Sequence, residues 1–218
     1  FTLNKKRVFE FRDEIKKRNI KINFMFSGGL RVDHVNEDIL KALKEIGAYS
    51  LAFGVESGSQ KILDNVKKGI TLEQVEKTFK IAKNLGFELW GFFMIGLPGE
   101  TPETVRATID FAKKLDPDVA KFHILKPFPG SEVYRQFKEQ GLLIEEDYTK
   151  YGIHTRPVHR LPDLSDEDLM QWTKTAYREF YLRPKKILAH IKRIKSWERL
   201  KLNASVGFKL LSFMKESP

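Results

Sequence analysis

The 218-residue sequence contains no cysteine, which excludes disulfides and thiolate metal sites within it. It also lacks any apolar run of about 18 residues, so no spanning helix is read, and no signal peptide is evident. A cytoplasmic location is expected on that basis. Histidine is scarce, with five in all, and none stands at ligand spacing: His154 and His159 lie five apart in a proline-bearing loop. Internal repeats and low-complexity tracts are absent. The chain opens on Phe1 rather than methionine, and a fragment of a longer protein is expected. Strong charge is missing from the main body. The formal net charge is +10, yet residues 183–218 hold ten lysines and arginines against two acids, or +8, leaving +2 for the first 182 residues.

The stretch Tyr49-Ser-Leu-Ala-Phe-Gly-Val-Glu-Ser-Gly-Ser59 organises what is present. Leu51, Phe53 and Val55 alternate with Ala52, Gly54 and Glu56 at the period of a strand. The strand runs into Ser57-Gly58-Ser59, a turn of small residues whose backbone amides are expected to approach a ligand. A carboxylate thus stands at the carboxyl end of a strand, where ligands bind in folds of parallel strands. From spacing alone, a solvated glutamate at an ordinary strand end is an equal reading.

Asn4 is placed to cap a helix carrying Val8, Phe9 and Ile15. A strand is expected over about residues 20–26, with Ile20, Ile22, Phe24 and Phe26 on one face, followed by a flexible loop over 27–33. A helix over 36–46 buries Ile39, Leu40, Leu43 and Ile46, with Gly47 at its C′ position. After the central strand come a short helix over 60–66, a break at residues 67–69, and a helix from a capping box at Thr71 and Gln74 to Gly86. Residues 87–95 form a long apolar strand, and Thr101-Pro102 opens the next helix. A strand over 119–125 places Lys121 and His123 on one face, and Ser131 caps a helix closed by Gly141. These strands start about 27 to 38 residues apart, the spacing of βα units with parallel strands. Residues 145–162 are irregular and polar. Ser165 then opens a helix through Trp172, Ala176 and Phe180, and a basic stretch follows Pro184. Two domains are read, 1–144 and 145–218.

Four βα units make an open sheet, since a closed barrel needs more strands. Lys121 with His123 is the clearest polar pair on an inner face, although a solvated edge or inner surface is the favoured reading, because nothing in the sequence fixes the strand's position. Gly96-Leu-Pro-Gly-Glu-Thr101 lacks the Lys-Ser/Thr of a P-loop and the three-glycine dinucleotide fingerprint. It is a tight strand-to-helix turn that brings backbone close to the strand ends.

Taken together, Phe53-Gly-Val-Glu-Ser-Gly-Ser59, Lys68-Gly69, Gly96-Leu-Pro-Gly-Glu-Thr101 and Pro127-Phe-Pro-Gly-Ser131 with Tyr134 resemble the radical S-adenosylmethionine (radical SAM) superfamily in order and spacing. The likeness extends to the group in which a cobalamin-binding domain precedes the radical SAM domain, with Arg178-Glu-Phe-Tyr-Leu-Arg-Pro184 similar to that group's tail segment. The resemblance implies an α/β fold, a partial TIM-type (βα)6 barrel of which this chain would carry the third to sixth strands, plus a C-terminal helical extension. It implies a parent enzyme that uses S-adenosylmethionine and a [4Fe-4S] cluster to generate a 5′-deoxyadenosyl radical or to drive cobalamin-linked methyl transfer. Cobalamin would belong to a domain outside this chain.

By the same resemblance, Glu56 would contact the ribose of S-adenosylmethionine, with Ser57 and Gly58 shaping the turn. Lys68 would lie near the methionine carboxylate. Gly96, Leu97, Pro98, Gly99, Leu125 and Lys126 would lie near the adenine, and Lys121 and His123 are substrate-side candidates. The departure is at the cluster, which needs cysteine thiolates that these residues lack. The chain alone is expected to be inactive and to bind no cofactor or metal, with the missing N-terminal part of the same protein as its partner. Self-association through an exposed sheet edge is also expected. The substrate, small or macromolecular, is not read from the sequence. The rival readings are a non-catalytic barrel-derived module whose basic tail binds RNA or a membrane surface, and a scaffold without a ligand.

Overall fold

A computed structural model describes residues 1–152 and 155–193 of the chain. In order, the elements are α1 (Lys5–Lys17), β1 (Phe24–Leu30), α2 (Glu37–Glu45), β2 (Ala48–Glu56), α3 (Gln60–Asn65), α4 (Leu72–Asn84), β3 (Glu88–Ile95), α5 (Pro102–Leu115), β4 (Val119–Ile124), α6 (Glu132–Glu139), α7 (Asp166–Tyr181) and α8 (Pro184–Arg193). The strands form one parallel sheet in the order β1-β2-β3-β4. This is the succession of βα units that the spacing predicts.

The helix ends are set by local chemistry. Asn4 accepts from the Arg7 amide and Asn36 from the Ile39 amide. Thr71 with Gln74 and Ser165 with Asp168 close reciprocal capping boxes. Gly47, Gly86 and Gly141 follow α2, α4 and α6 with left-handed backbone.

The chain divides into two compact units, one of Phe1–Met94 with Arg106–Lys121, the other of Ile95–Val105 with the described residues from Phe122 onward. In the first unit, α2 buries Ile39, Leu40 and Leu43, and α4 buries Val75, Phe79 and Ala82. Phe53 of β2 meets the Phe79 ring at 5.4 Å. Each of these larger side chains withdrawn from water contributes about 1.5–3 kcal/mol, and the Ala82 methyl about 0.8 kcal/mol. β2 is buried on both faces except at Tyr49 and Glu56, so its alternation does not divide core from solvent. β3 alternates buried and half-buried residues, with Leu89, Gly91, Phe93 and Ile95 inward. In the second unit, Phe122 packs edge-on to Tyr177 and lies 6.2 Å from Phe180, both on α7.

The first strand differs from its expected place. It begins at Phe24 rather than near residue 20, and it continues through Gly28 and Gly29 to Leu30, where a flexible loop is expected. The cause lies in α1. Asn19 takes a left-handed conformation, and the Ile20 amide donates back to the Ile15 carbonyl, completing the helix terminus. Ile20 and Ile22 are left exposed, and sheet pairing starts where the Phe24 amide meets the Gly47 carbonyl. A register shift between Phe26 and Leu30 absorbs the two glycines.

Candidate functional site

Glu56 ends β2 in a conformation that glutamate rarely adopts. Its φ is +69°, and the Ser57 amide donates to the Val55 carbonyl at 3.0 Å, so Glu56 is the centre of a three-residue γ-turn. The β2–β3 register shifts at the same place, pairing Glu56 with Phe93 after skipping Val55. Holding a non-glycine residue there costs about 1–3 kcal/mol and requires support from its surroundings. The strain re-aims the carboxylate back over the strand.

The carboxylate meets Lys68, whose Nζ donates to Glu56 Oε1 at 2.8 Å. Both side chains are largely shielded, at 23% and 19% exposure. Lys68 is placed by the C-terminus of α3: its own amide donates to the Leu63 carbonyl and that of Lys67 to the Asp64 carbonyl, with Lys67 left-handed. The Lys68 carbonyl accepts from Arg31 Nη2, and Arg31 grips Asp33 through both carboxylate oxygens. That bidentate bond holds the Asp33 carboxyl below its ordinary range. Gly54 provides the space for the pair, since a Cβ there would stand 2.8 Å from Glu56 Oε1 and 3.2 Å from Lys68 Nζ. A carboxylate and an ammonium side by side, largely shielded at the end of a parallel strand, suit a ligand offering hydroxyls and a charged group.

The Ser57-Gly58-Ser59 turn is built differently from its expected form. Its amides do not face a ligand. Ser57 N–H is spent on Val55, Gly58 N–H donates to Thr108 Oγ1 at 2.9 Å, and Ser59 N–H donates to Ser57 Oγ at 3.1 Å. Gly58 is required by close packing on α5, where a Cβ would lie 2.5 Å from the Ala107 carbonyl oxygen, 2.6 Å from Phe111 Cβ and 2.7 Å from Thr108 Cα. A small-residue turn reads the same in sequence whether its amides are open or satisfied internally.

In the second unit, the turn after β3 is closed by its own acid. Glu100 is 1% exposed, and its Oε2 accepts from the amides of Gly96 (2.7 Å) and Leu97 (3.1 Å). The Gly96 carbonyl accepts from Nε2 of His159, at 2.9 Å. Both backbone groups of Gly96 are therefore occupied, Pro98 has no amide hydrogen, and any contact this turn makes with a ligand runs through apolar surface or Gly99. Burial raises the Glu100 carboxyl to about 7 and lowers the His159 imidazole to about 4. Glu100 Oε1 and His159 Nδ1 have no hydrogen-bond partner among the described residues. The Leu125 amide donates to the Ile95 carbonyl. Lys126 Nζ donates to Thr155 Oγ1 at 3.1 Å and to the Arg156 carbonyl, and burial lowers its pKa.

Lys121 and His123 share a face of β4, as their spacing predicts, and both are half-buried. Thr108, Glu100 and Arg31 were not singled out by sequence spacing. Thr108 carried a usable signal, a hydroxyl on the stripe of Val105, Ile109 and Ala112 that forms the buried face of α5. Residues 194–218, which hold most of the basic tail, lie outside the described residues. Of the tail's described cations, Lys186 is buried over the Phe180 ring at 4.9 Å, and Arg183 covers that ring at 4.6 Å. No described helix is long and apolar enough to cross a membrane.

A protein-family model described as the radical SAM superfamily matches residues 1–112. An uncharacterized methyltransferase of Pyrococcus horikoshii is 41% identical over 191 residues, covering 88% of this chain and 41% of the relative. The cytidylyl-2-hydroxyethylphosphonate methyltransferase of Streptomyces wedmorensis is 31% identical over 163 residues, covering 71% of this chain and 30% of the relative. Among solved structures, the cobalamin-dependent S-adenosylmethionine radical enzyme OxsB shares the fold, with a TM-score of 0.60 at 19% identity over 96% of this chain and 36% of that one. The chain thus spans 41% or less of the length of each of these proteins.

Proposed function

Because the chain belongs to the radical SAM superfamily, we propose that it carries the ribose- and methionine-binding residues of a radical SAM enzyme of methyltransferase type. The observation that carries this reading is the Glu56–Lys68 pair, held on a strained turn at the carboxyl end of β2 with Gly54 clearing its space. A carboxylate accepts from the two hydroxyls of a ribose, and an ammonium pairs with an amino-acid carboxylate; both bonds are of the strong, charge-assisted kind. When bound, S-adenosylmethionine supplies an activated sulfonium carbon. The role of Glu56 and Lys68 is to orient it, by fixing the ligand at its ribose and its methionine ends. The substitutions nearest the pair, at Gly54 and at Glu56 itself, are the ones that should disturb that orientation.

The iron–sulfur cluster of the family does not fit these residues. The chain has no cysteine, and among the described residues no group of three or more histidine, cysteine or acidic side chains is placed to hold a metal. We propose that the thiolates stand elsewhere in a longer protein, with cobalamin, where it is used, in a further domain. The share of each relative that this chain covers supports that division.

The test uses the full-length protein and two ligands, S-adenosylmethionine and 5′-methylthioadenosine, which keeps the ribose but has no carboxylate. Glu56→Gln is expected to weaken both by about 10- to 100-fold, the loss of a charged hydrogen bond. Lys68→Met is expected to weaken S-adenosylmethionine alone. Unchanged titration isotherms for Glu56→Gln would sink the reading, and equal losses for both ligands in Lys68→Met would remove Lys68 from the carboxylate.

A second prediction arises at Gly54. The atoms its Cβ would meet are the far ends of two flexible side chains, so Gly54→Ala is accommodated by displacing the ion pair. Its melting temperature should stay within about 3 °C of wild type, a cost of under about 1 kcal/mol. S-adenosylmethionine affinity should nevertheless fall several-fold. A Gly54→Ala protein that binds as wild type would show that the Glu56–Lys68 pair is not the ligand site.

A further inference from the structure

We propose that Thr108, on α5, is a positioning residue for Glu56, fixing the carboxylate in its ligand-binding orientation before any ligand arrives. The inference rests on the reading of Glu56 as a binding residue. Thr108 is fully buried, and its hydroxyl is the hub from which the turn after β2 hangs. Thr108 Oγ1 accepts from the Gly58 amide at 2.9 Å and shares a hydrogen bond with Ser57 Oγ at 3.1 Å, in which either hydroxyl can donate. Ser57, also fully buried, passes the support on by accepting from the Ser59 amide.

These bonds immobilise three consecutive residues immediately after Glu56, and Gly58 lies against the Ala107–Thr108 backbone too closely to admit a Cβ. Besides these, the left-handed turn at Glu56 is held by the bond from Ser57 N–H to the Val55 carbonyl, by the pairing of Glu56 with Phe93 of β3, and at its side chain by Lys68. If residues 57–59 relaxed, Glu56 would return to ordinary extended backbone. Its side chain would then swing away from Lys68 and from the space above Gly54, because a change of φ at a strand end redirects the side chain. Val55, on the other side of Glu56, is fixed in the core. The hydroxyl on α5 therefore decides which of two backbone states Glu56 occupies.

The experiment is a double-mutant cycle on S-adenosylmethionine binding in the full-length protein, read by titration calorimetry. Thr108→Val keeps the shape and removes the hydroxyl. It should weaken binding about tenfold in the wild-type background and less than twofold in a Glu56→Gln background, while Thr108→Ser should bind within about twofold of wild type. Equal losses in both backgrounds, or no loss from Thr108→Val, would overturn the positioning role. If Glu56→Gln itself binds as wild type, the functional reading fails first and the proposal falls with it, a result distinct from the other two. Should Thr108→Val not fold, hydrogen exchange in the ligand-free wild type decides: the amides of Gly58 and Ser59 should be strongly protected, and exchange at open-loop rates would refute the hub.

Discussion

Gly58→Ala is expected to destabilise the protein by about 3 kcal/mol, the upper end of the usual cost of overpacking, which corresponds to a melting-temperature drop of roughly 10 °C for a chain of this size. The new methyl carbon would sit 2.5 Å from the Ala107 carbonyl oxygen, 2.6 Å from Phe111 Cβ and 2.7 Å from Thr108 Cα. Two of these atoms are backbone and the third is the first side-chain carbon of the buried Phe111, fixed by the backbone, so no side-chain rotation relieves the contact. Either α5 moves off the sheet, opening voids around Val105, Ile109 and Ala112, or the 57–59 turn lifts and gives up the bonds to Thr108. Burial is lost on the first route and buried hydrogen bonds on the second, each a recognised cause of large mutational effects. The contrast with Gly54→Ala is informative, because the added atom is the same and the neighbours differ: flexible side-chain tips at one glycine, helix backbone at the other. Thermal unfolding followed by circular dichroism checks it, and a melting temperature within about 2 °C of wild type would contradict the packing described.

How much of this was legible in the sequence depends on the range of the interaction involved. The caps at Asn4, Asn36, Thr71, Ser131 and Ser165 are decided within three or four residues, and each stands where the local pattern puts it. The order of helices and parallel strands follows from hydrophobic period and spacing, and the superfamily follows from four turns taken together. Elements settled by partners far away in the chain were less readable. Ile20 and Ile22 alternate like a strand, but the Ile20 amide is consumed by the end of α1 and pairing begins only at the Gly47 carbonyl. The conformation of Glu56 depends on a hydroxyl more than fifty positions later, and nothing in the local pattern reports a left-handed glutamate. In the same way, residues 57–59 read as a turn whose amides approach a ligand and 96–101 as a turn that brings backbone near the strand ends, whereas Thr108, Ser57 and Glu100 already occupy amides in both. Glycine content marks where backbones come close; it does not say whether the neighbour is a ligand or a helix.

The largest pH effect is expected from the buried pair in the second unit, and the two groups act in opposite directions. Glu100 titrates near 7 in the folded protein against 4.5 when unfolded, so the folded state holds the extra proton between these values. Stability therefore falls as pH rises from about 4.5 to 7, by about 3 kcal/mol in all. His159 titrates near 4 folded against 6.5 unfolded, so here the unfolded state holds the extra proton. Its contribution makes stability rise with pH from about 4 to 6.5, again by about 3 kcal/mol. Between pH 4.5 and 6.5 the two slopes cancel, and these groups leave the wild-type profile flat. Among the described residues, Glu100 faces the amides of Gly96 and Leu97, while Lys126 adds to the depression at His159, whose ring stacks on Phe137. Removing either group should expose the other. Glu100→Gln retains an oxygen for the two amides and should become more stable from pH 4 to 6.5, with the full slope of His159. His159→Phe keeps the stacking, loses the bond to the Gly96 carbonyl, and should become less stable from pH 4.5 to 7. In urea unfolding at each pH, the difference from wild type reports the group removed: it should rise from pH 4.5 to 7 for Glu100→Gln and fall from pH 4 to 6.5 for His159→Phe, with titrations elsewhere in the chain subtracting out. Parallel profiles for wild type and Glu100→Gln would mean that Glu100 does not carry its proton into the folded state at neutral pH. With both replaced the profile should be flat again, because the opposition of the two burial penalties, and not a bond between them, is what hides them in the intact protein.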